Sequence, residues 1–134
     1  GIEQLKKIKK ILNKKNKIST FYKKKFNNNP KITLPNIPEY VTQHSWYNYS
    51  IIVNPSKRDK LIKYLLKNRI ETRVSFPTIS SQPIYKKLIY DRKNSNSIKL
   101  TKSLIDLPIW TKLSMRDQIT VIKIVLKFFN DKYQ

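Results

Sequence analysis

The sequence predicts an α/β module in which helices frame a small sheet. Three stretches place apolar residues at helical spacing, and two runs of aromatic and β-branched residues flank the middle one. The chain has 134 residues, of which 39% are hydrophobic. This is enough material for one core, so we expect a single domain over residues 1–134.

The first predicted element is a long helix within residues 1–27. Its apolar stripe recurs every three or four positions between lysines: Ile2, Leu5, Ile8 and Leu12. The pattern resumes at Phe21 and ends at Phe26, because the asparagines and spaced prolines that follow cannot extend a helix. A short strand around Ile32 to Leu34 is compatible with the next residues.

A β-α-β segment is predicted for residues 45–76. Its strands are Trp46 to Val53 and Ile70 to Ser75, and the helix between them begins near Lys57. Ser56 and an acid three residues later resemble a capping box. The two strands are either parallel neighbours or separated by a third strand, and both arrangements are allowed.

The remaining residues, 77–134, are predicted to form a loop and C-terminal helices. Pro83 opens a short helix in "PIYKKLIY", and "IKLTKSLI" forms a second short helix. The last helix begins near Met115, where Ser114 and Asp117 form its cap.

The composition excludes several kinds of active site. With Gly1 as the single glycine, no phosphate-cradling loop can be built. Because cysteine is absent and histidine occurs once, we expect no metal site. A nucleophile among Ser75, Ser80 and Ser81 would need His44 as its base, and nothing in the sequence places that histidine beside them. The residues alone therefore predict a module without a self-contained catalytic site.

The charge of +21 has two interpretations. It could serve nucleic-acid binding, in which cations neutralise phosphates. However, the excess is scattered lysine, accompanied by many asparagines and isoleucines, as in A/T-rich coding sequences, and a dedicated surface more often uses arginine. We expect only nonspecific binding of nucleic acid at low salt.

The hydropathy pattern does not predict a membrane-spanning segment. No apolar run approaches the roughly 20 residues of a membrane-spanning helix. The first residues also lack the apolar core of a signal peptide. We therefore expect no membrane partner and a cytoplasmic location.

Five segments match a known family in the right order. They are "GIEQLKKIKKILNKKNKISTFYKKKF", "HSWYNYSIIV", "RDKLIKYLLKNRIETRVSF", "FPTISSQPIY" and "DLPIWTKLSMRDQ". The second resembles the strand S-W-x-x-Y-x-I/V, the third the pattern R-D-x-L/V followed by G-I-x-T/C-R, and the fourth F-P-P-I-H-x-Q-P-x-Y. Together they resemble the C-terminal portion of the DegT/StrS-type sugar aminotransferases, which use pyridoxal phosphate and have the aspartate-aminotransferase fold.

The resemblance implies the small C-terminal domain of a fold-type I enzyme dependent on pyridoxal phosphate. The family's Schiff-base lysine and most of its phosphate contacts lie in a large domain that would precede Gly1. The chain alone is therefore expected to hold no catalytic residue and no cofactor. The parent enzyme would be a homodimer that transfers an amino group, usually from glutamate, to a nucleotide-linked keto-sugar. A non-catalytic interaction module derived from the family and a basic nucleic-acid-binding domain are the alternatives.

The resemblance also implies substrate-binding residues. The loop from Phe76 to Tyr85 would reach the mouth of the active-site cleft, with Ser80 in the position where the family has a histidine. The substrate-binding residues implied are Ser80, Phe76, Ser81 and Arg73. In the structural alternative, the loop only caps a strand and packs its two aromatic residues into the core.

Three positions depart from the family's pattern. Ser80 replaces the histidine, Arg69 replaces a glycine, and Thr78 replaces a proline. A serine hydroxyl donates and accepts hydrogen bonds, but it does not carry a proton at neutral pH as imidazole does. We therefore expect the departure at Ser80 to affect substrate preference and activity.

Overall fold

The computed structural model describes residues 1–74, 76–85 and 96–130. In this part of the chain, helices frame a small sheet, so the predicted α/β class is confirmed. The elements in chain order are α1 (Ile2–Phe26), β1 (Tyr49–Ile52), α2 (Pro55–Lys67), two 3-10 turns (Ile79–Ser81 and Pro83–Tyr85), α3 (Asn96–Thr101), β2 (Leu104–Leu107) and α4 (Met115–Asn130). None of the helices described combines the length and apolar character needed to cross a membrane.

The sheet pairs β1 with β2 in antiparallel orientation. Isolated bridges extend it on both sides, from Thr33 to Ile52 and from Arg73 to Asp106. The Arg73 segment is antiparallel to β2 and hence parallel to β1, with β2 between them. Of the two arrangements left open for the β-α-β segment, the split one is therefore found.

The strand predicted from Ile70 to Ser75 is wrong in its extent, and Ser75 itself lies outside the described residues. Of the described residues of this predicted strand, Ile70 to Val74, only Arg73 pairs with β2. The next hydrogen-bonded position of this ladder would join Glu71 to Pro108, and proline has no N–H to donate. The ladder therefore cannot extend beyond the Arg73 bridge in that direction.

The helix predicted in "IKLTKSLI" is also wrong in its second half. α3 ends at Thr101 and the chain enters β2 at Leu104. Ile105 and Leu107 are buried against β1, so pairing with a distant strand overrides the local helical pattern. Of the helix predicted in "PIYKKLIY", Pro83–Tyr85 form a 3-10 turn and the rest lies outside the described residues.

The two predicted caps have different outcomes. α2 begins at Pro55, two residues before Lys57, because the side chain of Asn54 accepts a hydrogen bond from the Ser56 N–H at 2.9 Å. The capping box expected at Ser56 is therefore wrong. At α4 the cap is confirmed: Ser114 Oγ accepts from the Asp117 N–H at 3.1 Å and donates to the Asp117 carboxylate at 2.6 Å.

One core lies between the helices and a single face of the sheet. Alternation along the strands turns Tyr49, Ile51 and Ile105 to this face, where they are almost fully buried. The second half of α1, the apolar sides of α2 and α4, and these strands supply the largest buried side chains: Tyr22, Phe26, Leu61, Leu65 and Val125, with the strand residues. This packing leaves the end of α2 and the chain after β2 at the surface, facing one groove.

Candidate functional site

One concave site in the described part of the chain is a groove of about 800 Å³. It is formed by the residues before β1, the end of α2 with the segment up to Arg73, the residues after β2, and the first turns of α4. Its volume lies in the range of about 300–1,000 Å³ that is usual for ligand sites. The groove is open to solvent on one side.

Arg69 lines this groove from a conformation that normally favours glycine. Its φ is +61°, and it follows Asn68, the residue that ends α2. The Arg69 N–H donates to the Leu66 carbonyl and the Ile70 N–H to the Leu65 carbonyl, both at 2.9 Å. These two bonds form a Schellman motif, in which the left-handed position costs a residue with a Cβ about 1 kcal/mol relative to glycine. The sequence thus places an arginine at the edge of the groove, although its left-handed backbone conformation favours glycine.

Arg73 lies in the same groove at the sheet edge. Its backbone exchanges two hydrogen bonds with Asp106, with N···O distances of 3.2 and 2.9 Å. The ion pairs formed within the described residues are Lys6 with Glu3 and Arg58 with Asp59. Neither groove arginine is therefore neutralised by a carboxylate of this part of the chain.

Three carboxylates also line the groove, and two of them are engaged. Asp106 is buried and accepts a hydrogen bond from the Ser50 hydroxyl. Asp117 accepts from the Ser114 hydroxyl at the start of α4. Glu71 is exposed, and its carboxylate has no bond to another described residue. Within the described residues, the groove therefore offers two arginines without a carboxylate partner and one carboxylate without a hydrogen bond.

Aromatic side chains complete the lining. Trp110 is 51% exposed and Tyr47 is 74% exposed, although both are large apolar residues. The segment that carries Trp110 is anchored to the core, since the Tyr22 hydroxyl donates to the Pro108 carbonyl at 3.0 Å. The indole is thus presented to the groove by a fixed stretch of backbone.

Tyr22 packs against a second buried tyrosine, Tyr49, whose hydroxyl has different surroundings. The rings of Tyr22 and Tyr49 lie 5.1 Å apart, and the Tyr49 hydroxyl is buried without a hydrogen-bond partner among the described residues. Burial raises the pKa of both phenols, and the proximity of Tyr49 raises the pKa of Tyr22 further. Both remain neutral well above physiological pH.

The sequence-predicted site residues are divided between two places. Arg73 lines the groove, whereas Phe76, Ser80 and Ser81 lie on the loop beyond it. Ser80 Oγ donates to Thr78 Oγ1 at 3.2 Å, and Ser81 Oγ donates to the Thr78 carbonyl at 2.7 Å. Both serine hydroxyls are thus used within their own turn.

The loop's aromatic residues do not pack into the core. Phe76 is 92% exposed and Tyr85 is 42% exposed. The structural alternative, in which these two side chains fill the core, is therefore wrong for this chain. Burying a phenylalanine side chain contributes about 1.5–3 kcal/mol. A partner or ligand that covered the Phe76 ring would gain this free energy.

His44 is held in a local structural contact. Its Nδ1 accepts from the Trp46 N–H at 3.0 Å, and the two rings lie 4.2 Å apart. The hydroxyls of Ser80 and Ser81 bond to Thr78 and not to this imidazole. Neither of these two candidate nucleophiles is therefore paired with His44. Residues 1–74, 76–85 and 96–130 contain no cluster of three or more potential metal ligands.

Sequence reasoning missed most of the groove. Its walls come from four separated stretches, and no short motif marks their meeting. One local signal was present: an arginine in the position after a helix end, where glycine is preferred. A tryptophan directly after a strand was the second signal.

Two curated relatives resemble the chain over most of its length. It is 30% identical to an uncharacterized protein of Methanocaldococcus jannaschii over 137 residues, covering 98% of this chain and 35% of the relative. It is 29% identical to the UDP-4-amino-4,6-dideoxy-N-acetyl-beta-L-altrosamine transaminase of Campylobacter jejuni over 120 residues, covering 87% and 32%. The chain thus spans about a third of the length of these relatives.

Solved structures show the same fold. The aminotransferase TlmJ from Streptoalloteichus hindustanus superposes with a TM-score of 0.85 at 20% identity, over 96% of this chain and 34% of that one. NtdA from Bacillus subtilis, solved with bound cofactor PMP, gives a TM-score of 0.75 at 18% identity, over 88% and 28%. At the level of sequence, the DegT/DnrJ/EryC1/StrS aminotransferase family matches residues 1–126. The chain therefore belongs to the DegT/DnrJ/EryC1/StrS aminotransferase family.

Proposed function

We propose that this chain is the C-terminal small domain of a nucleotide-sugar aminotransferase dependent on pyridoxal phosphate. The observation that carries the proposal is the family match over residues 1–126 in a chain that spans about a third of its curated relatives. The parent enzyme would transfer an amino group from an amino acid, with glutamate as the donor, to a keto-sugar linked to a nucleotide. It would act as a homodimer.

The described residues do not fit pyridoxal phosphate by themselves. No lysine lines the groove, and the described lysines are exposed except for the half-buried Lys15 and Lys57. The Lys15 amine donates to the Trp46 carbonyl at 3.0 Å, and Lys57 is engaged in contacts of its own. A Schiff-base lysine needs an enclosed site that lowers its proton affinity. We therefore assign the cofactor to other parts of the parent enzyme, and no catalytic residue to this chain.

The role proposed for this chain is to bind substrate. The exposed ring of Phe76 and the turn that carries Ser80 and Ser81 would face the cleft, together with Arg73. The hydroxyl of Ser80 can exchange its 3.2 Å bond to Thr78 for one to a sugar hydroxyl at little cost. Binding would also cover Phe76, which is 92% exposed in this chain.

The long first helix is consistent with a domain that belongs to a larger enzyme. We propose that residues 1–27 form a helix that connects this domain to the rest of the enzyme. Ile2 and Leu5 are 75% and 67% exposed, so the first turns of α1 present an apolar stripe that this chain does not cover. Contact with the remaining two thirds of a family-length protein would remove that stripe from water.

The test compares the 134-residue chain with the longer polypeptide we propose, each incubated with pyridoxal phosphate and glutamate. We expect the longer polypeptide to convert the cofactor to its aminated form and release 2-oxoglutarate, with no conversion by the short chain. This half-reaction requires no knowledge of the sugar. Saturable one-to-one cofactor binding by the short chain, abolished by changing one lysine, would contradict the division of roles.

The loop is tested in the longer polypeptide with its keto-sugar substrate. We expect Ser80→Ala to raise KM by up to about tenfold, the worth of one hydrogen bond, with thermal stability nearly unchanged. Ser80→His should be tolerated. An unchanged KM together with a lowered melting temperature would make the loop purely structural.

A further inference from the structure

We infer that one face of α1 binds the surface of an anionic lipid bilayer. Lysines recur every three or four positions along this face, apart from one aromatic residue, and form what we call the lysine row: Lys6, Lys10, Lys14, Lys17 and Lys24. The inference goes beyond the proposed function, since no step of amino transfer needs a lipid surface.

The lysine row is an ordered feature of the helix surface. Each residue of an α-helix advances by about 100°, and seven of the ten lysines of α1 fall within a sector about 100° wide. The row extends about 27 Å along the helix, at a rise of about 1.5 Å per residue, and all of its side chains are exposed. A coding bias towards lysine accounts for the number of these residues but not for their concentration on one side of α1.

The charge of the lysine row is not balanced within the described part of the chain. Glu3 is the single acid of α1, and its carboxylate pairs with the Lys6 amine at 2.7 Å. The other lysines of the row have no carboxylate partner among the described residues. Because like charges one turn apart on a helix repel each other, the row costs stability in water. Contact with a surface of anionic groups would relieve this repulsion.

The lysine row lies away from the two surfaces to which α1 is already committed. Tyr22 and Phe26 are buried in the core, and Leu5 and Ile8 belong to the apolar stripe that we assign to contact with the rest of the enzyme. At about 100° per residue, the middle of the row lies on the opposite side of α1 from these four side chains. A cover over the stripe would therefore leave the row accessible.

The composition of this face favours a lipid surface over a nucleic acid. The row is entirely lysine, whose compact charge on a flexible stem suits mobile headgroups, whereas the arginine fork suits fixed phosphates and guanine edges. Phe21 occupies the position between Lys17 and Lys24, and the Lys25 amine lies 5.7 Å from the centre of its ring. A bilayer interface accommodates both groups, because it takes up the ring and the lysine stem while the amine stays among the headgroups.

Binding of this kind needs no apolar run. A helix that lies on headgroups does not cross the bilayer, so the lack of such a run in the sequence does not oppose the contact. The attraction comes from several cations that reach one plane together, and a straight row on an exposed helix face provides this arrangement.

The experiment measures sedimentation of the 134-residue chain with lipid vesicles at about 0.15 M salt. One set of vesicles is phosphatidylcholine alone, and the other contains about 30% phosphatidylglycerol, an anionic lipid. We expect the partition coefficient to be at least about tenfold higher for the anionic vesicles. Equal partition into the two sets of vesicles, or no binding to the anionic set, would show that the inference is wrong.

The decisive comparison uses two quadruple variants that remove the same charge. The row variant combines Lys10→Gln, Lys14→Gln, Lys17→Gln and Lys24→Gln. The control combines four changes at exposed positions on α2 and after β2: Lys60→Gln, Lys63→Gln, Lys67→Gln and Lys112→Gln. Glutamine is as good a helix former as lysine and removes the repulsion, so the melting temperature of the row variant should equal or exceed that of the unchanged chain.

The two variants should differ in their binding to the anionic vesicles. A lysine near an anionic surface strengthens binding by about fivefold, so the row variant should lower the partition coefficient by at least about tenfold. The control should lower it by less than about threefold, because its lysines do not meet the surface. Equal losses would mean that the net charge of +21 acts as a whole, and the inference would be overturned.

A DNA duplex tests the competing partner at the same salt concentration. We expect the duplex to leave the chain on the anionic vesicles. Release of the chain by DNA, together with DNA binding that the row variant weakens more than the control, would assign the row to nucleic acid instead. None of these results bears on cofactor amination by the longer polypeptide, so this inference and the proposed function fail separately.

Discussion

The two halves of α1 share one sequence pattern and have opposite environments. In the first half, Ile2 and Leu5 are 75% and 67% exposed, whereas in the second half Ile18, Tyr22 and Phe26 are between 0 and 4% exposed. Periodic apolar residues therefore predict that a segment is helical and which face is apolar. They do not predict whether this face is covered, because a covering surface has to come from elsewhere in the fold.

The change in environment occurs where α1 meets Trp46. The indole Nε1 donates to the Asn16 side chain at 3.3 Å, and the Lys15 amine donates to the Trp46 carbonyl at 3.0 Å. From here to its end, α1 packs on α4 and the sheet. The first half has mainly local support, such as the exposed ion pair of Lys6 with Glu3, which is worth only a few tenths of a kcal/mol.

The largest expected effect comes from truncating the buried half of α1. Phe26 is fully buried, so we expect Phe26→Ala to lower the free energy of unfolding by about 3–5 kcal/mol, through lost burial and the cavity left behind. Urea unfolding followed by circular dichroism measures the change. A loss below about 1 kcal/mol would mean that the second half of α1 is not part of the core.

Alkaline pH should lower the free energy of unfolding through the two tyrosines buried at the second half of α1. Burial raises the pKa of Tyr22 and Tyr49, and the neighbouring Tyr49 raises that of Tyr22 further, so both phenols deprotonate first in the unfolded chain. Their contribution is complete below pH about 10 and is lost as pH rises towards the folded pKa, at about 1.4 kcal/mol per pH unit for each phenol.

Melting temperatures recorded between pH 8 and pH 11.5 test this dependence. The control is the double variant Tyr22→Phe with Tyr49→Phe, which removes both phenols while keeping both rings. Its stability should decline less steeply above pH 10. An identical decline in the two proteins would assign the alkaline sensitivity to other groups.

The two tyrosines should differ when their hydroxyls are removed one at a time. Tyr22→Phe leaves the Pro108 carbonyl without its donor and should cost about 1 kcal/mol. Tyr49→Phe removes a buried hydroxyl that has no hydrogen-bond partner among the described residues, so it should be neutral or stabilising. Urea unfolding measures both values, since each variant differs from the unchanged 134-residue chain by one oxygen atom. A larger loss for Tyr49→Phe would reverse this assignment.

The elements predicted correctly are those with local signals. α1, β1, α2 and α4 follow from periodicity, composition and flanking prolines or caps, with shifts at their ends. The sequence predicts the strand at Ile70 to Ser75 and allows a third strand beside it, but it predicts a helix where that third strand, Leu104–Leu107, pairs with β1. Strand pairing depends on a surface distant in sequence, and the missing N–H of Pro108 stops the Arg73 ladder on the side of Glu71.

The candidate site was less predictable than the fold for the same reason. Arg73 was named from the resemblance, and the groove places it with Arg69 and Trp110, which lie 4 and 37 positions away in sequence. Only the packing of α2, β2 and α4 brings these residues together. The loop residues Phe76 and Ser80 do not pack into the core of this chain, and their role in binding substrate stays a prediction.

The smallest expected effect concerns the exposed half of α1. Leu5 is 67% exposed, and alanine has a slightly better helix propensity than leucine, so Leu5→Ala should change the free energy of unfolding by less than about 0.5 kcal/mol in either direction. Phe26→Ala, in the buried half of the same helix, is the matched comparison. A loss above about 1 kcal/mol at Leu5 would show that the first half of α1 is covered in solution. Repeating the unfolding at several protein concentrations would then identify the cover, because a second copy of the chain makes the transition depend on concentration and an intramolecular contact does not.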